Sequence, residues 1–306
     1  MKAIIVGMGV QGKKRKKFLN KDFVCSVDKN KKADYNSIKK VPLKSYDTVF
    51  LCVPDNEKIN LIKFCIKNKK HVLIEKPLLA KSNKELNDLE IKAKRKKLII
   101  YTAYNHRFEP GILKIRNLIQ SKKLGKIYRC KIFYGNGTSY VVKKNPWRDK
   151  KLGVITDLGS HLLNLCIFWF GKKIKKFKLI SVERFENKSP DHAVILLEIN
   201  KIKIELEVTL CMWKNTFSCD LIGSKGSAHL NSLCKWSNSS FIFRRRKFPS
   251  GKPNEKVINF KKGDPTWKLE NMFFKNLIKK KTNYNLKEDI ILNEKFNKIF
   301  LTSNYD

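Results

Sequence analysis

Three side chains in this sequence have the types and settings that move a proton and steady a charged oxygen: Lys76, Asp157 and His161. Lys76 follows an apolar run at 71–74 and precedes a proline, in Glu75-Lys76-Pro77. At a strand's carboxyl edge, fixed by that proline, its ammonium can polarise a substrate oxygen. Asp157 and His161 share the segment Asp157-Leu158-Gly159-Ser160-His161, and a spacing of four puts both on one face of a helix. Gly159 between them leaves room for a ligand or another backbone. An imidazole titrating near neutrality is a natural acceptor for a hydroxyl proton. Each residue also has a plainer reading: a single lysine says little in a lysine-rich chain, and a helix histidine bonded to an acid one turn earlier has the same spacing.

A carrier for the electrons is suggested at the amino terminus. Val6-Gly7-Met8-Gly9-Val10-Gln11-Gly12 follows an apolar strand and opens a helix. In that context Gly7 permits the tight turn, Gly9 lets the backbone approach a pyrophosphate, and Gly12 lets helix and strand pack closely. The helix amino terminus then faces the phosphates. Asp28 ends the next apolar run, where a carboxylate can hold both ribose hydroxyls and favour NAD by repelling an added phosphate. Lys29, Lys31 and Lys32 crowd the same place and leave NADP open, and a glycine turn followed by a capping aspartate is the plainer alternative. Cys52-Val53-Pro54-Asp55 ends a third run, and its Val53 and Pro54 are expected to floor the nicotinamide side.

The elements that must hold these residues can be read from periodicity. Apolar runs at 3–6, 23–27, 48–53, 71–74 and 98–101 alternate with helical patterns, which predicts a parallel sheet. In the helix from about residue 56, Ile59, Ile62, Phe64, Cys65 and Ile66 fall on one side, with the lysines expected to face away. Ser82 with Glu85 forms a capping box. Beyond Tyr101 the rhythm changes to a helix at 109–120, a strand at 126–133, a Gly-, Asn- and Pro-rich loop to Trp147 and a helix at 156–170. Alternation from 174 to 260 predicts a largely antiparallel sheet, and two helices, 266–279 and 286–302, close the chain. The expected architecture is α/β: an N-terminal Rossmann, doubly wound parallel sheet over 1–104, then an α+β domain over 105–306 with a large, mostly antiparallel open sheet. The last helix is free to return to the first domain.

Taken in order, the glycine turn, Val53-Pro54, Glu75-Lys76-Pro77, Tyr104-Asn105-His106-Arg107-Phe108, Asn145-Pro146-Trp147-Arg148, Asp157 to His161 and Gly223-Ser224-Lys225-Gly226-Ser227 resemble the Gfo/Idh/MocA oxidoreductases. That family includes inositol dehydrogenases, glucose-fructose oxidoreductase and nucleotide-sugar dehydrogenases. The resemblance implies hydride transfer between NAD(P) and a ring hydroxyl carbon of a sugar, cyclitol or nucleotide-sugar. It implies that Lys76 binds the reacting oxygen, Asp157 binds substrate and supports the base, and His161 exchanges the proton. The implied cofactor contacts are Gly7, Gly9, Val10, Gln11, Gly12, Asp28, Val53, Pro54, Glu75 and Lys76, and no metal is called for. Asn105, Arg107, Trp147 and Arg148 are implied near substrate, although a salt bridge or a packed indole would serve for the last three. A homo-oligomer, dimer or tetramer, through the second sheet is implied as well. Three departures stand out: Lys58 where many relatives have histidine, Asn164 where many have an acid, and a glycine-poor approach to Asp157. A catalytically silent nucleotide sensor on the same fold is the alternative.

Composition limits the other classes. A chain of 306 residues with 42% apolar content is enough for two cores. No stretch reaches the roughly 18–20 uncharged apolar residues of a membrane span, and the first residues read as a strand instead of a signal peptide, which places the protein in the cytoplasm. Eight scattered cysteines, with no C-x-x-C pair, are expected to be buried free thiols. The formal charge of +40 could attract nucleic acid, but only ten of the 67 basic residues are arginine and the lysines run through every segment. The sole arginine cluster is Arg244-Arg245-Arg246, so solvated faces are expected and a nucleic-acid partner is not.

Overall fold

The computed structural model describes residues 1–282, 284 and 286–302. It divides into two units, Met1–Asn105 with Trp267–Glu294, and His106–Thr266 with the chain from Lys295 onward.

The first unit is built on five parallel strands, β1 (Ala3–Val6), β2 (Phe23–Val27), β3 (Thr48–Leu51), β4 (His71–Glu75) and β5 (Ile100–Ala103), in the order β2-β1-β3-β4-β5. The helices between them are α1 (Val10–Leu19), α2 (Asp55–Lys67) and α3 (Asn83–Arg95). Successive side chains of a strand point to opposite faces, and here both faces are covered, so the strands read as largely apolar runs without alternation. Ile4, Val6, Val49 and Leu51 pack with Ile62 and Cys65 of α2 and Leu86 and Leu89 of α3. Ala3, Ile5 and Phe50 pack on the other face with Leu19 of α1 and with Phe274 and Leu277, which lie on a helix from the far end of the sequence, Thr266–Lys279. Phe274 stands edge-on to Phe50 at 5.8 Å and stacks on Tyr101 at 5.8 Å. Burying a side chain of that size contributes roughly 1.5–3 kcal/mol. The predicted cap at α3 is present, with Ser82 accepting from the Glu85 amide at 3.3 Å.

The lysines of α2 do not all face outward. Lys58 is only 1% exposed. Apolar periodicity assigns charge to the solvent side, but a lysine that finds an acceptor for each ammonium proton can be buried.

The second unit opens with α4 (Pro110–Gln120) and β6 (Ile127–Gly135), followed by α5 (Ser139–Lys143), α6 (Val154–Asp157) and α7 (Gly159–Phe170). Seven further strands follow: β7 (Ile174–Glu183), β8 (His192–Ile199), β9 (Ile202–Thr209), β10 (Thr216–Gly223), β11 (Gly226–Asn231), β12 (Ser239–Arg245) and β13 (Asn254–Phe260). The eight strands run β13-β12-β11-β10-β6-β9-β8-β7, antiparallel except where β6 meets β9. Alternation is clean in β8, where Ala193, Ile195, Leu197 and Ile199 are buried. The Thr266–Lys279 helix becomes α8, and α9 (Lys287–Thr302) completes the chain.

Two local expectations change here. The segment expected to be loop as far as Trp147 contains α5, because Asn136 folds a turn onto the Thr138 amide and hydroxyl and the chain then coils. The helix expected over 156–170 has an irregular hydrogen-bond ladder at Leu158, between α6 and α7. Ser160 donates its hydroxyl to the Asp157 carbonyl at 3.1 Å, and the His161 amide turns instead to the Leu158 carbonyl. Eleven of the twelve residues of α7 are buried, Ser160, His161 and Asn164 among them, so it is a core helix. No helix among the described residues is long and apolar enough to cross a membrane. All eight cysteines are free thiols, and six of them are buried.

Candidate active site

The glycine turn lies between β1 and α1, where the strand order reverses. Gly7 adopts φ +96°, and a Cβ there would sit 2.3 Å from the Cys52 carbonyl oxygen. A Cβ on Gly12 would lie 1.9 Å from the Gly7 oxygen, so helix and turn touch through this glycine. Gly9 differs: nothing lies within 4 Å of where its Cβ would be. The α1 helix then starts at Val10 with no side-chain cap and no acid in its first turn. Its first amides therefore lack intrahelical partners and present positive potential beside open space. This cradle fits a dinucleotide's pyrophosphate, with Val10, Gln11 and Gly12 supplying the helix end.

Asp28 is committed largely to the backbone. One oxygen accepts from the Met8 amide at 2.6 Å, and the other from the amides of Asn30 and Lys31, both at 2.9 Å. Burial pushes its carboxyl up, but these three bonds outweigh that and hold it below its ordinary value. A carboxylate has about four acceptor positions. Asp28 thus ties the glycine turn to the end of β2 and keeps acceptor capacity for one more donor.

Beside this turn in the same sheet, Val53 and Pro54 follow β3, with Pro54 immediately before α2, and Glu75 ends β4 with Lys76 directly after it. Glu75 accepts from Arg15 Nε at 2.6 Å, and Arg15 Nη2 lies 2.8 Å from Glu270 of α8. Tyr101 donates to Glu270 at 3.1 Å, and the guanidinium sits 4.4 Å from the centre of the Trp267 ring. Burial works against the charge on Arg15, but attraction to Glu75 and Glu270 prevails and its proton is held more tightly than usual. Burial pushes Glu270 up. Lys58 Nζ donates to Asp55 at 2.7 Å and to the carbonyls of Glu75 and Pro77 at 2.6 and 2.7 Å. Asn105, 7% exposed, closes this stretch of the first unit.

In the second unit, Asp157 ends α6 and His161 lies in the first turn of α7; the backbone stays helical at Leu158 between them, and only the hydrogen-bond ladder is irregular there, the His161 amide bonding the Leu158 carbonyl. Arg148 Nη2 bonds Asp157 at 3.0 Å. His161 is buried and stacks on His106, with ring centroids 3.9 Å apart and planes 15° from parallel. Tyr134 lies 6.2 Å from His161 and 5.3 Å from Trp236, ring to ring. Burial first, and the charge of Asp157 second, raise the Tyr134 phenol so that it stays neutral. Trp236 is anchored through its neighbours: the amides of Cys234 and Lys235 both donate to buried Glu109 at 3.2 Å. Arg107 Nε donates to Asn164 Oδ1 at 2.5 Å, and its guanidinium lies 5.1 Å from the Phe168 ring. Trp147 is 56% exposed, so its indole is not packed.

Each unit thus gathers its own share of the expected residues: the glycines, Asp28, Val53, Pro54, Glu75, Lys76 and Asn105 in the first, Arg107, Trp147, Arg148, Asp157 and His161 in the second. Sequence reasoning missed Arg15, Glu270, His106, Tyr134 and Trp236 as partners. His106 stood inside a quoted motif and Lys58 at a noted departure, so both carried a signal. The other four are drawn in by packing and had none.

Two family models match the chain: an oxidoreductase family, NAD-binding Rossmann fold, over residues 2–104, and the GFO/IDH/MocA C-terminal domain over residues 112–229. Among curated proteins, an uncharacterized oxidoreductase of Schizosaccharomyces pombe is 30% identical over 130 residues, 41% of this chain and 34% of that protein. The scyllo-inositol 2-dehydrogenase (NADP(+)) IolW of Bacillus subtilis is 27% identical over 142 residues, 45% of this chain and 39% of the relative. The matched segments therefore span only a third to two fifths of these relatives. The solved UDP-N-acetylglucosamine 3-dehydrogenase GnnA from Acidithiobacillus ferrooxidans superposes with a TM-score of 0.79 at 15% identity, covering 98% of this chain and 96% of its own. That likeness is one of fold.

Proposed function

The chain belongs to the Gfo/Idh/MocA oxidoreductase family, with an NAD-binding Rossmann fold at its amino end, and on that premise we propose that it transfers hydride between NAD(P) and a ring hydroxyl carbon of a sugar, cyclitol or nucleotide-sugar. The observation that carries this reading is Lys76 at the carboxyl edge of β4, two strands from the glycine turn in one parallel sheet. Ligands of open α/β sheets lie across those strand ends.

In this reading the amides of the turn and of α1 hold the pyrophosphate, Asp28 receives a ribose hydroxyl, and Val53 and Pro54 line the nicotinamide side. A bound nicotinamide supplies the acceptor for the hydride that leaves the hydroxyl carbon. Lys76 donates to the reacting oxygen and lowers the cost of negative charge there. His161 takes the hydroxyl proton as the C–H bond breaks, so the alcohol becomes a carbonyl and the imidazole an imidazolium. Asp157, held by Arg148, binds substrate beside that base, and Asn105, Arg107 and Trp147 complete the contacts. The name of the B. subtilis relative supports a cyclitol.

The test is a panel of sugars, cyclitols and nucleotide-sugars offered with NAD and with NADP, followed by absorbance of the reduced nicotinamide. Turnover of at least one ring alcohol is expected. Nucleotide binding without turnover across the panel would overturn the catalytic reading in favour of a sensor.

A further inference from the structure

Lys58 is the one lysine of α2 that points inward, and its surroundings account for all three ammonium protons. They go to Asp55 Oδ1 at 2.7 Å, the Glu75 carbonyl at 2.6 Å and the Pro77 carbonyl at 2.7 Å. The two carbonyls belong to the residues on either side of Lys76. The side chain is 2% exposed, and the carboxylate partner Asp55 is half exposed, so the cation is buried and its counter-ion is not.

A buried ammonium is a costly choice at a position one turn before Ile62 on a face that Cys65 and Ile66 continue. An apolar side chain would extend that face. What the lysine adds is a fixed point for the backbone at the end of β4. Residue 75 is gripped twice, by Lys58 at its carbonyl and by Arg15 at its side chain, and residue 77 once.

The geometry points to Lys58 as a positioning residue: by binding the carbonyls of Glu75 and Pro77 it fixes the backbone of Lys76, and so the place from which the Lys76 ammonium reaches a substrate oxygen. This rests on the hydride-transfer role proposed above for Lys76.

The test uses the full-length protein and two variants, both one bond shorter than lysine: Lys58→Met, which stays unbranched and removes every donor, and Lys58→Gln, which keeps two N–H donors. Reactivity of Lys76 towards a trace of acetic anhydride, read by mass spectrometry against Lys63 and Lys67 of the same helix, reports its setting whether or not any substrate turns over. Lys58→Met is expected to change Lys76 labelling by about threefold or more with the two reference lysines unmoved, and to lower kcat about thirtyfold while the Kd for NAD stays within about threefold. Lys58→Gln is expected to fall between wild type and Lys58→Met in both readouts, and it decides the matter if Lys58→Met does not fold. Unchanged Lys76 labelling in the variants, or kcat and NAD affinity falling together, overturns the proposal. Altered labelling in a protein that turns over nothing would sustain the positioning role and sink the hydride-transfer reading instead.

Discussion

The imidazoles of His106 and His161 lie face to face, 3.9 Å between centroids, in the buried interior of the second unit. The His106 ring walls one side of His161 and restricts its plane. Replacing it should leave His161 chemically intact but free to tilt, and a proton acceptor that tilts loses alignment with the hydroxyl it serves. His106→Ala is therefore expected to lower kcat about tenfold, with NAD affinity nearly kept, and His106→Phe to lose less because the ring is retained. Equal rates for wild type and His106→Ala would remove this role.

Direct loss of the proposed chemical groups should be more severe. Lys76→Ala and His161→Ala are each expected to cut kcat/KM about a hundredfold or more, with the Kd for NAD little altered. Calorimetric titration of the nucleotide beside steady-state rates separates the two effects. Wild-type rates in both variants would reject the assignments.

The glycines of the turn should fail in different ways. A Cβ at residue 12 meets a backbone oxygen at 1.9 Å, so Gly12→Ala must push α1 off the turn and should lower the thermal midpoint. Gly9→Ala meets nothing within 4 Å and should fold as wild type, but its methyl would project into the space expected for the pyrophosphate. Loss of NAD affinity by about tenfold or more without loss of stability is the outcome expected for Gly9→Ala. Unaltered NAD binding by that variant would move the phosphate site elsewhere.

Arg15 is placed between two carboxylates that have little solvent of their own, Glu75 and the fully buried Glu270. Arg15→Met should strand both and cost roughly 3–5 kcal/mol of stability. Adding Glu270→Gln should recover part of that loss, because the amide still accepts from Tyr101 without carrying charge. Urea unfolding of the single and double variants checks the ordering, and a single variant as stable as wild type would contradict it.

A pH effect follows from His71 at the start of β4. Its Nδ1 accepts from the Ile99 amide at 3.0 Å, and burial lowers the imidazole below 6.5 against the weaker pull of Asp47. The unfolded chain then binds the proton more readily than the folded one. This contribution is present above 6.5 and is lost as pH falls through the folded value. The urea midpoint should drop between about pH 7.5 and about pH 5.5, and His71→Gln should drop less over the same interval. Identical drops would assign the effect to other groups.

Local chemistry determined a great deal of this protein. The largely apolar runs of β1 to β5, the alternation in β8 and β9, the glycine turn and the Ser82 cap are short-range signals, because a strand's periodicity and a cap's hydrogen bond involve residues close in sequence. The positions of Lys76 at a strand end and of Asp157 and His161 one turn apart were legible for the same reason. The irregular ladder between them was not: the His161 amide bonds the Leu158 carbonyl, and periodicity does not register that.

Only the tertiary structure decided which charges are buried and what they hold. Lys58 looks like its exposed neighbours until β4 brings two carbonyls to it, and Arg15 looks like part of a basic helix until Glu75, 60 residues on, and Glu270, further still, close around it. His106 meets His161, and Tyr134 meets Trp236, in the same way. Burying a charge or stacking a ring depends on partners distant in the chain, and their arrival is a property of the assembled fold that no local window of sequence contains.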